Sequence, residues 1–352
     1  MKPRLGEASL QAVAQTSASP SGALASGQKS PRYWKWPLAI GVAGVLLYFA
    51  LRGVEWSRVG TIVAHCRIEY LLLACGCATL SYIVRAMRWR VLLSAQEKIK
   101  ATTVLWASSV GYLANSYLPA RSGELIRTAM ISSRSRLSRT YVFTTAMTER
   151  VIELVILVLM AFLMSNSLAH RPEWLTKLMV ACTLCTIAGT SILLVLPAFD
   201  RARTGLIARL PLRGRLRERL HGIAASVTLA LSAIRDPLRL LRLCALTALV
   251  WTLDATAAVI LAHALGMRLL FPVALLLATG LALGNALPST PGAIGIFQFA
   301  AVAVLVPFNF TRTDAIAYIL VAQAAAYFVI TILGLIGLWR YQAIARTEVP
   351  VD

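Results

Sequence analysis

Charge is what this sequence is short of. Of its 352 residues only 14% are Asp, Glu, Lys or Arg, against roughly a quarter in a soluble globular domain. Acid is scarcest, with 15 Asp and Glu against 35 Lys and Arg. With 58% hydrophobic residues and a mean hydropathy of +0.70, this excludes a soluble enzyme, a disordered chain and a nucleic-acid-binding module. A net charge of +20 would suggest DNA binding in a polar chain. In one this apolar it points to basic loops facing anionic lipid heads. Chemical groups are scarce too. His65, His170, His221 and His263 are scattered, and no HExxH, GxSxG, Walker A or GxGxxG pattern occurs. Of six cysteines, Cys182 and Cys185 form a CxxC, but within the apolar run ACTLCTIAG, where no further zinc ligands lie at matching depth. They read as small packing residues. The expectation is an all-α, polytopic membrane protein with no metal, no cofactor, no enzymatic activity and no nucleic-acid partner.

Residues 1–36 are rich in Ser, Ala, Gln and Gly, with Pro3, Pro20 and Pro31. Such a stretch builds no core and reads as a disordered tail. It is too polar for a signal peptide and no small-residue cleavage site follows Leu51, so the first apolar run, 37–51, reads as a retained anchor. Tyr33, Trp34 and Trp36 beside it suit a membrane interface. Further apolar runs cover 68–86, 102–119, 141–165, 175–197, 241–265, 273–287, 293–308 and 314–339. Several are long enough to cross a hydrocarbon core of roughly 30 Å. Those at 102–119, 273–287 and 293–308 are shorter, or interrupted by Pro and Gly.

Positive charge sets orientation. The segments 85–100, 121–139 and 200–242 are rich in Lys and Arg, the last carrying ten Arg against three acids, whereas 166–174, 265–272 and 309–313 carry one Arg each. The rich segments are expected in the cytoplasm. Both 85–100 and 121–139 then lie inside, with an apolar run between them. A single span cannot begin and end on one side, but a hairpin that dips in and returns can. By the same argument 273–308 reads as a pair opening outward. The expected architecture is six full spans and two re-entrant elements arranged as an inverted repeat. It comprises a tail at 1–36, a first membrane half at 37–199 with its re-entrant element near 102–127, and a basic amphipathic cytoplasmic linker at 200–240. A second half follows at 241–340, its element near 273–308, and then a C-terminal tail at 341–352, with both termini cytoplasmic.

The two interrupted elements share a pattern. Leu118-Pro119 is followed by three residues and Gly123, and Leu287-Pro288 by three residues and Gly292. Asn115 and Asn285 precede the prolines, and Pro291 and Gly295 add further breaks in the second copy. Pro removes a backbone donor and breaks the helix; Gly allows a tight turn. In hydrocarbon the freed backbone groups survive only against protein or trapped water, and paired breaks in inverted halves point to a midplane site. Two Pro-kinked packing helices are the plainer alternative.

Ionisable groups at membrane depth cost roughly 2.5–3.5 kcal/mol each on insertion scales, so each needs a reason. Glu149 and Glu153 share one helix face, with Arg150 in pairing range of Glu153; they read either as a buried ion network facing a polar cavity or as a helix end in the headgroup zone. Asp254, one turn after Trp251, is a proton relay, a coupling-ion ligand or a structural partner. Arg121 and Arg127 flank the first break and suit a phosphate, with Glu124 to orient them. Arg85 and Arg88 read as a snorkelling anchor or as lipid-phosphate ligands, and the Arg85/Trp89 spacing allows cation–π contact. Arg150 joins this head-group set, and Asn115, Glu124, Glu149, Glu153, Asp254, Asn285 and Gln298 form the expected polar lining.

In the order Arg85-Ala86-Met87-Arg88-Trp89, Asn115, Leu118-Pro119, Arg121, Gly123-Glu124, Arg127, Glu149-Arg150, Pro288, Pro291-Gly292 and Gly295, the chain resembles the flippase-like membrane domain of lysylphosphatidylglycerol synthases over about 35–342. The resemblance implies inverted repeats with re-entrant helices, a bacterial inner-membrane location, and lipid translocation or an accessory role in lipid handling, including hopanoid or other polyisoprenoid lipids. Two departures stand out: Ala293 follows Pro291-Gly292 where the family often has a second Gly, and Gln298 follows Phe297 where it often has Glu. The soluble aminoacyl-transfer domain has no counterpart, so synthesis of lysylphosphatidylglycerol is not expected. The leading expectation is a transporter or flippase for an amphipathic lipid, anionic or polyisoprenoid in type, with membrane lipids as partners. The alternative is a non-transporting membrane partner of a lipid-biosynthesis enzyme, docked through 200–242.

Overall fold

A computed structural model describes residues 35–118, 122–165, 235–286 and 293–347, with isolated positions between 177 and 230. The expected tail, most of the run at 175–197 and of the linker, and Pro119, Arg121, Pro288, Pro291 and Gly292 lie outside the described residues. The chain divides into Met1–Leu38 and Ala39–Asp352, and the helical bundle is the second of these units. Among the described residues there are ten α-helices and no strand.

Helices α1 (Lys35–Leu51), α2 (Trp56–Ala64) and α3 (Ile68–Leu93) come first. α3 runs seven residues past the end of its apolar run at 86, because Arg88 and Trp89 turn inward and are buried. Glu69 in its first turn and Arg90 in its last complement the helix dipole. After α4 (Ala101–Tyr117) and α5 (Ser122–Ser132) comes α6 (Arg139–Ser165). α7 (Pro237–Ala264) begins inside the expected linker rather than at 241: the Asp236 carboxylate accepts from the Leu238 and Arg239 amides, and Pro237 occupies the first turn. α8 (Phe271–Ala286), α9 (Ile296–Leu305) and a 3₁₀ turn at Val306–Phe308 lead to α10 (Arg312–Thr347), which continues through half of the expected C-terminal tail.

Among the described residues three helices are long and apolar enough to cross a membrane: Ile68–Leu93, Pro237–Ala264 and Arg312–Gln342. The expected span at 175–197 lies largely outside the described residues. α6 has the length, at 27 residues, but any stretch of it long enough to span contains Glu149, Arg150 and Glu153. Helices α4, α5, α8 and α9 have 17, 11, 16 and 10 residues. At 1.5 Å per residue they are about 26, 17, 24 and 15 Å long, all short of a bilayer core.

These four form two antiparallel hairpins. In the first, the Gly123 amide donates to Asn115 Oδ1 at 2.9 Å, and a Cβ on Gly123 would fall on the Gly111 carbonyl; glycine is what lets α4 and α5 approach. The two ends of this hairpin meet, with the Arg136 amide donating to the Glu97 carboxylate at 2.8 Å. In the second hairpin Gly284 faces Ile296 and Gly280 faces Val304. Its ends meet as well, since Leu270, Phe308 and Phe310 line one cavity. The hairpins open at opposite ends of α10. Tyr341 donates to the Met130 carbonyl and carries the Arg134 guanidinium 3.7 Å over its ring. At the other end Asp314 lines the cavity beside the second hairpin and pairs with Arg58 at 3.1 Å. Arg312 and Tyr341 are 29 residues apart on α10, which is about 44 Å of helix.

Packing is layered along α6. Tyr141, Val142 and Ala146 join Trp89, Leu93, Val104 and Ile131 in one apolar cluster. Leu157 and Ala161 join a larger one with Trp251, Leu275, Leu305 and Ile316. Glu149, Arg150 and Glu153 lie between the two.

The second hairpin holds one strained residue. Ala293, where the family resemblance expects glycine, has φ 52, a left-handed conformation that costs an L-residue roughly 1–2 kcal/mol. Ala293→Gly is expected to stabilise the detergent-solubilised protein by about 0.5–1 kcal/mol. Ala324→Gly, on an exposed turn of α10, is expected to destabilise it by about 1 kcal/mol. Thermal melts of the two variants read both signs.

Candidate functional site

Eight ionisable side chains from four helices meet between the two apolar layers. α3 supplies Arg85 and Arg88, α5 supplies Glu124 and Arg127, α6 supplies Glu149, Arg150 and Glu153, and α7 supplies Asp254. The helical period explains much of the grouping: Arg85 and Arg88, Glu124 and Arg127, and Arg150 and Glu153 are each three residues apart, and Glu149 and Glu153 four, so each of these pairs shares a face.

Their ion pairs close into a ring. Glu149 accepts from Arg88 through Oε1, at 3.0 and 2.8 Å, and from Arg127 through Oε2, at 3.3 Å. Arg127 turns back to Glu124 on its own helix, and the other oxygen of Glu124 accepts from Arg150 at 3.0 Å. Arg150 pairs with Glu153 at 2.7 Å, and Glu153 lies 3.4 Å from Arg88. Arg85 hangs from this ring, donating to both Glu153 and Asp254. Four arginines thus face four carboxylates, and the described cluster has no net charge. Such neutrality answers the cost of depth: a lone buried ion loses its hydration, whereas alternating neighbours restore much of that energy.

Tryptophans complete the enclosure. The Arg127 guanidinium lies 4.3 Å from the Trp89 ring, and that of Arg85 lies 5.2 Å from Trp251. The expected contact between Arg85 and Trp89 is therefore not made; Arg85 turns across to α7, and Trp89 instead donates to Thr145 and stacks on Arg127. Thr247, which the sequence reading passed over, puts its hydroxyl 3.5 Å from Arg88. Tyr82 and Tyr112 were also missed. Their rings meet at 5.3 Å, and each lies one turn from a residue already singled out, Arg85 and Asn115.

The ring is closed on most sides. The side chains of Arg88, Arg127 and Glu149 are 1% exposed and that of Glu153 is 6%. Arg88 and Arg127, expected as head-group ligands, are enclosed, and their guanidinium groups are already paired with carboxylates. Arg150 and Asp254 differ, at 31% and 26%. Arg150 is 11 residues into α6 and Asp254 is 17 into α7, about 17 and 26 Å along their helices.

Other expected residues lie elsewhere. Asn115 holds the first hairpin together. Gln298 accepts from the Gly295 amide, at the left-handed turn with φ 90, and donates to Gln323 at 2.6 Å. An amide does both tasks; the carboxylate of the family pattern only accepts. Asn285 ends α8, its side chain outside the described set. A cavity of about 630 Å³ lies not at the ring but between α2, the start of α10 and the loops at 265–270 and 308–310.

Glu149 is the keystone, since it alone joins Arg88 to Arg127. Glu149→Gln is expected to cost about 3–5 kcal/mol, the penalty of leaving buried charge uncompensated. Arg58→Ala, which breaks the half-exposed pair with Asp314, is expected to cost less than about 1 kcal/mol. Thermal unfolding in detergent compares them.

No curated protein matches the chain. The family profile described as the lysylphosphatidylglycerol synthase TM region matches residues 36–334. Apolar helices long enough to cross a bilayer agree with that description. The protein is therefore a membrane protein that belongs to the family of lysylphosphatidylglycerol synthase membrane regions.

Proposed function

We propose that this protein is a lipid transporter of the bacterial inner membrane, in which the two hairpins are re-entrant elements entering from opposite faces and the ionic ring borders the path of a lipid head group. The observation that carries this reading is the exposure of Arg150 and Asp254. Facing hydrocarbon, each would cost several kcal/mol; facing a water- or ligand-filled space, each is tolerated. Hairpins too short to span, with both ends on one side, suit a path open to one leaflet at a time. Lipid tails stay in the bilayer, and rocking of one half against the other alternates access. In this reading both termini and the basic segment 200–242 are cytoplasmic.

One feature of the sequence favours a second reading, a non-transporting partner of a lipid-biosynthesis enzyme: the run Arg213, Arg215, Arg217 and Arg219 concentrates positive charge that attracts an acidic protein or anionic lipid. Proteoliposomes separate the two. Transport predicts protein-dependent scrambling of labelled phospholipid, slowed by Arg150→Gln by about tenfold, the loss of one charge-assisted contact, and little changed by reversing the four linker arginines to Glu. Wild-type protein no faster than empty vesicles, across several lipid compositions and gradients, overturns it. A cellular defect from the linker reversal but not from Arg150→Gln supports the partner reading.

A further inference from the structure

Resting on the transport reading, the charge inventory of the site narrows its ligand. The sequence alone suggested an anionic lipid, because arginines crowd the first break. The described ring has four arginines and four carboxylates, so it offers no surplus positive field to an isolated phosphate. Its two most exposed members are one charge of each sign, Arg150 and Asp254. Tyr82 lies one turn before Arg85 on α3, and its ring packs on that of Tyr112 with centroids 5.3 Å apart.

Two buried donors near this pair lack partners. Trp251, one turn before Asp254 and 7% exposed, has an indole N–H that meets no acceptor among the described residues, and the hydroxyl of Ser81, one turn before Arg85 and 1% exposed, is likewise unpaired there. Buried donors are normally satisfied, so each leaves a place for an oxygen to bond.

We infer that the site selects a zwitterionic phospholipid head group, one carrying a phosphate and a protonated amine, rather than a net anionic one. The phosphate faces Arg150. The ammonium faces Asp254 and the tyrosine rings, which bind cations through their π faces. The Trp251 and Ser81 donors take neutral ester or hydroxyl oxygens. A phosphatidylglycerol head group satisfies Arg150 but leaves Asp254 facing a hydroxyl, and it brings an uncompensated negative charge into a neutral ring.

The experiment uses the full-length protein in proteoliposomes containing labelled phosphatidylethanolamine, phosphatidylglycerol or N-acetyl-phosphatidylethanolamine, in which the phosphate is kept and the amine is neutralised. The expected result is phosphatidylethanolamine moving about tenfold faster than either of the others, the worth of one charge-assisted contact. Asp254→Asn should bring the three rates together. The wild-type comparison stands alone if that variant fails to fold. Phosphatidylglycerol or the N-acetyl lipid moving as fast as phosphatidylethanolamine overturns the inference and leaves the transport reading intact. If no lipid moves, the transport reading falls, and lipid retention by the detergent-purified protein, read by native mass spectrometry, decides the head-group preference. Preferential retention of phosphatidylethanolamine upholds it, and equal or preferential retention of phosphatidylglycerol overturns it.

Discussion

Four guanidinium groups held against four carboxylates, buried between two apolar layers of a membrane protein, constrain everything else in this molecule. An arginine left alone there either drags water with it or expels its helix from the membrane. Pairing alone is not enough, because desolvating two ions costs more than one contact returns. The ring solves this by giving most members two opposite neighbours: Glu149 takes two arginines, Arg127 takes two glutamates, and Glu153 takes three arginines. Closing such a ring requires four helices in fixed register. The apolar layers above and below it on α6 supply that register through close side-chain packing. The short hairpin of α4 and α5 is part of the same requirement. It carries Glu124 and Arg127 inward, and the close contact of Gly123 with Gly111 keeps it tight enough to do so.

Much of this was legible beforehand, and the limits have physical causes. Apolar runs located the helices because burial in lipid needs continuous hydrophobicity. They misplaced the ends of α3, α7 and α10 because charged residues there remain helical when their partners are protein rather than water. The charged set itself could be picked out, since each member violates the rule against ions in hydrocarbon. Their roles could not. Arg88 and Arg127 look like ligands in a sequence that shows only their type; that each is enclosed by carboxylates depends on α6 lying against α3 and α5, a long-range fact with no local signature. Thr247, Tyr82 and Tyr112 are ordinary residues for apolar helices and became visible only through their neighbours. Arg121, prominent in the family pattern, lies outside the described residues.

Family membership places the chain among membrane regions associated with lysylphosphatidylglycerol synthases, and the geometry gives that membership a physical content. A polar cluster that is neutral overall, enclosed on most sides and open at one edge is poorly suited to passing ions, which need a continuous wet path. In the proposed transport reading a head group slides past it while its tails remain in lipid, so that only the moving group must find partners.

The two hairpins are alike in backbone and unlike in charge, and this asymmetry bears on how such a protein works. The first inserts a glutamate and an arginine into the ring. The second inserts Gln298, an uncharged amide tied to its own Gly295 turn and to Gln323 on α10. Moving the first hairpin would break ion pairs in a dry interior, a step costing several kcal/mol unless a ligand's own charges replace those lost. Moving the second breaks the Gln298–Gln323 hydrogen bond and no described ion pair, and it disturbs the apolar cluster in which Leu275, Leu277, Ala301 and Leu305 are buried. Under the proposed transport reading, rearrangement at the ring is therefore the step that a ligand's own charges would ease, by standing in for the ion pairs that are lost.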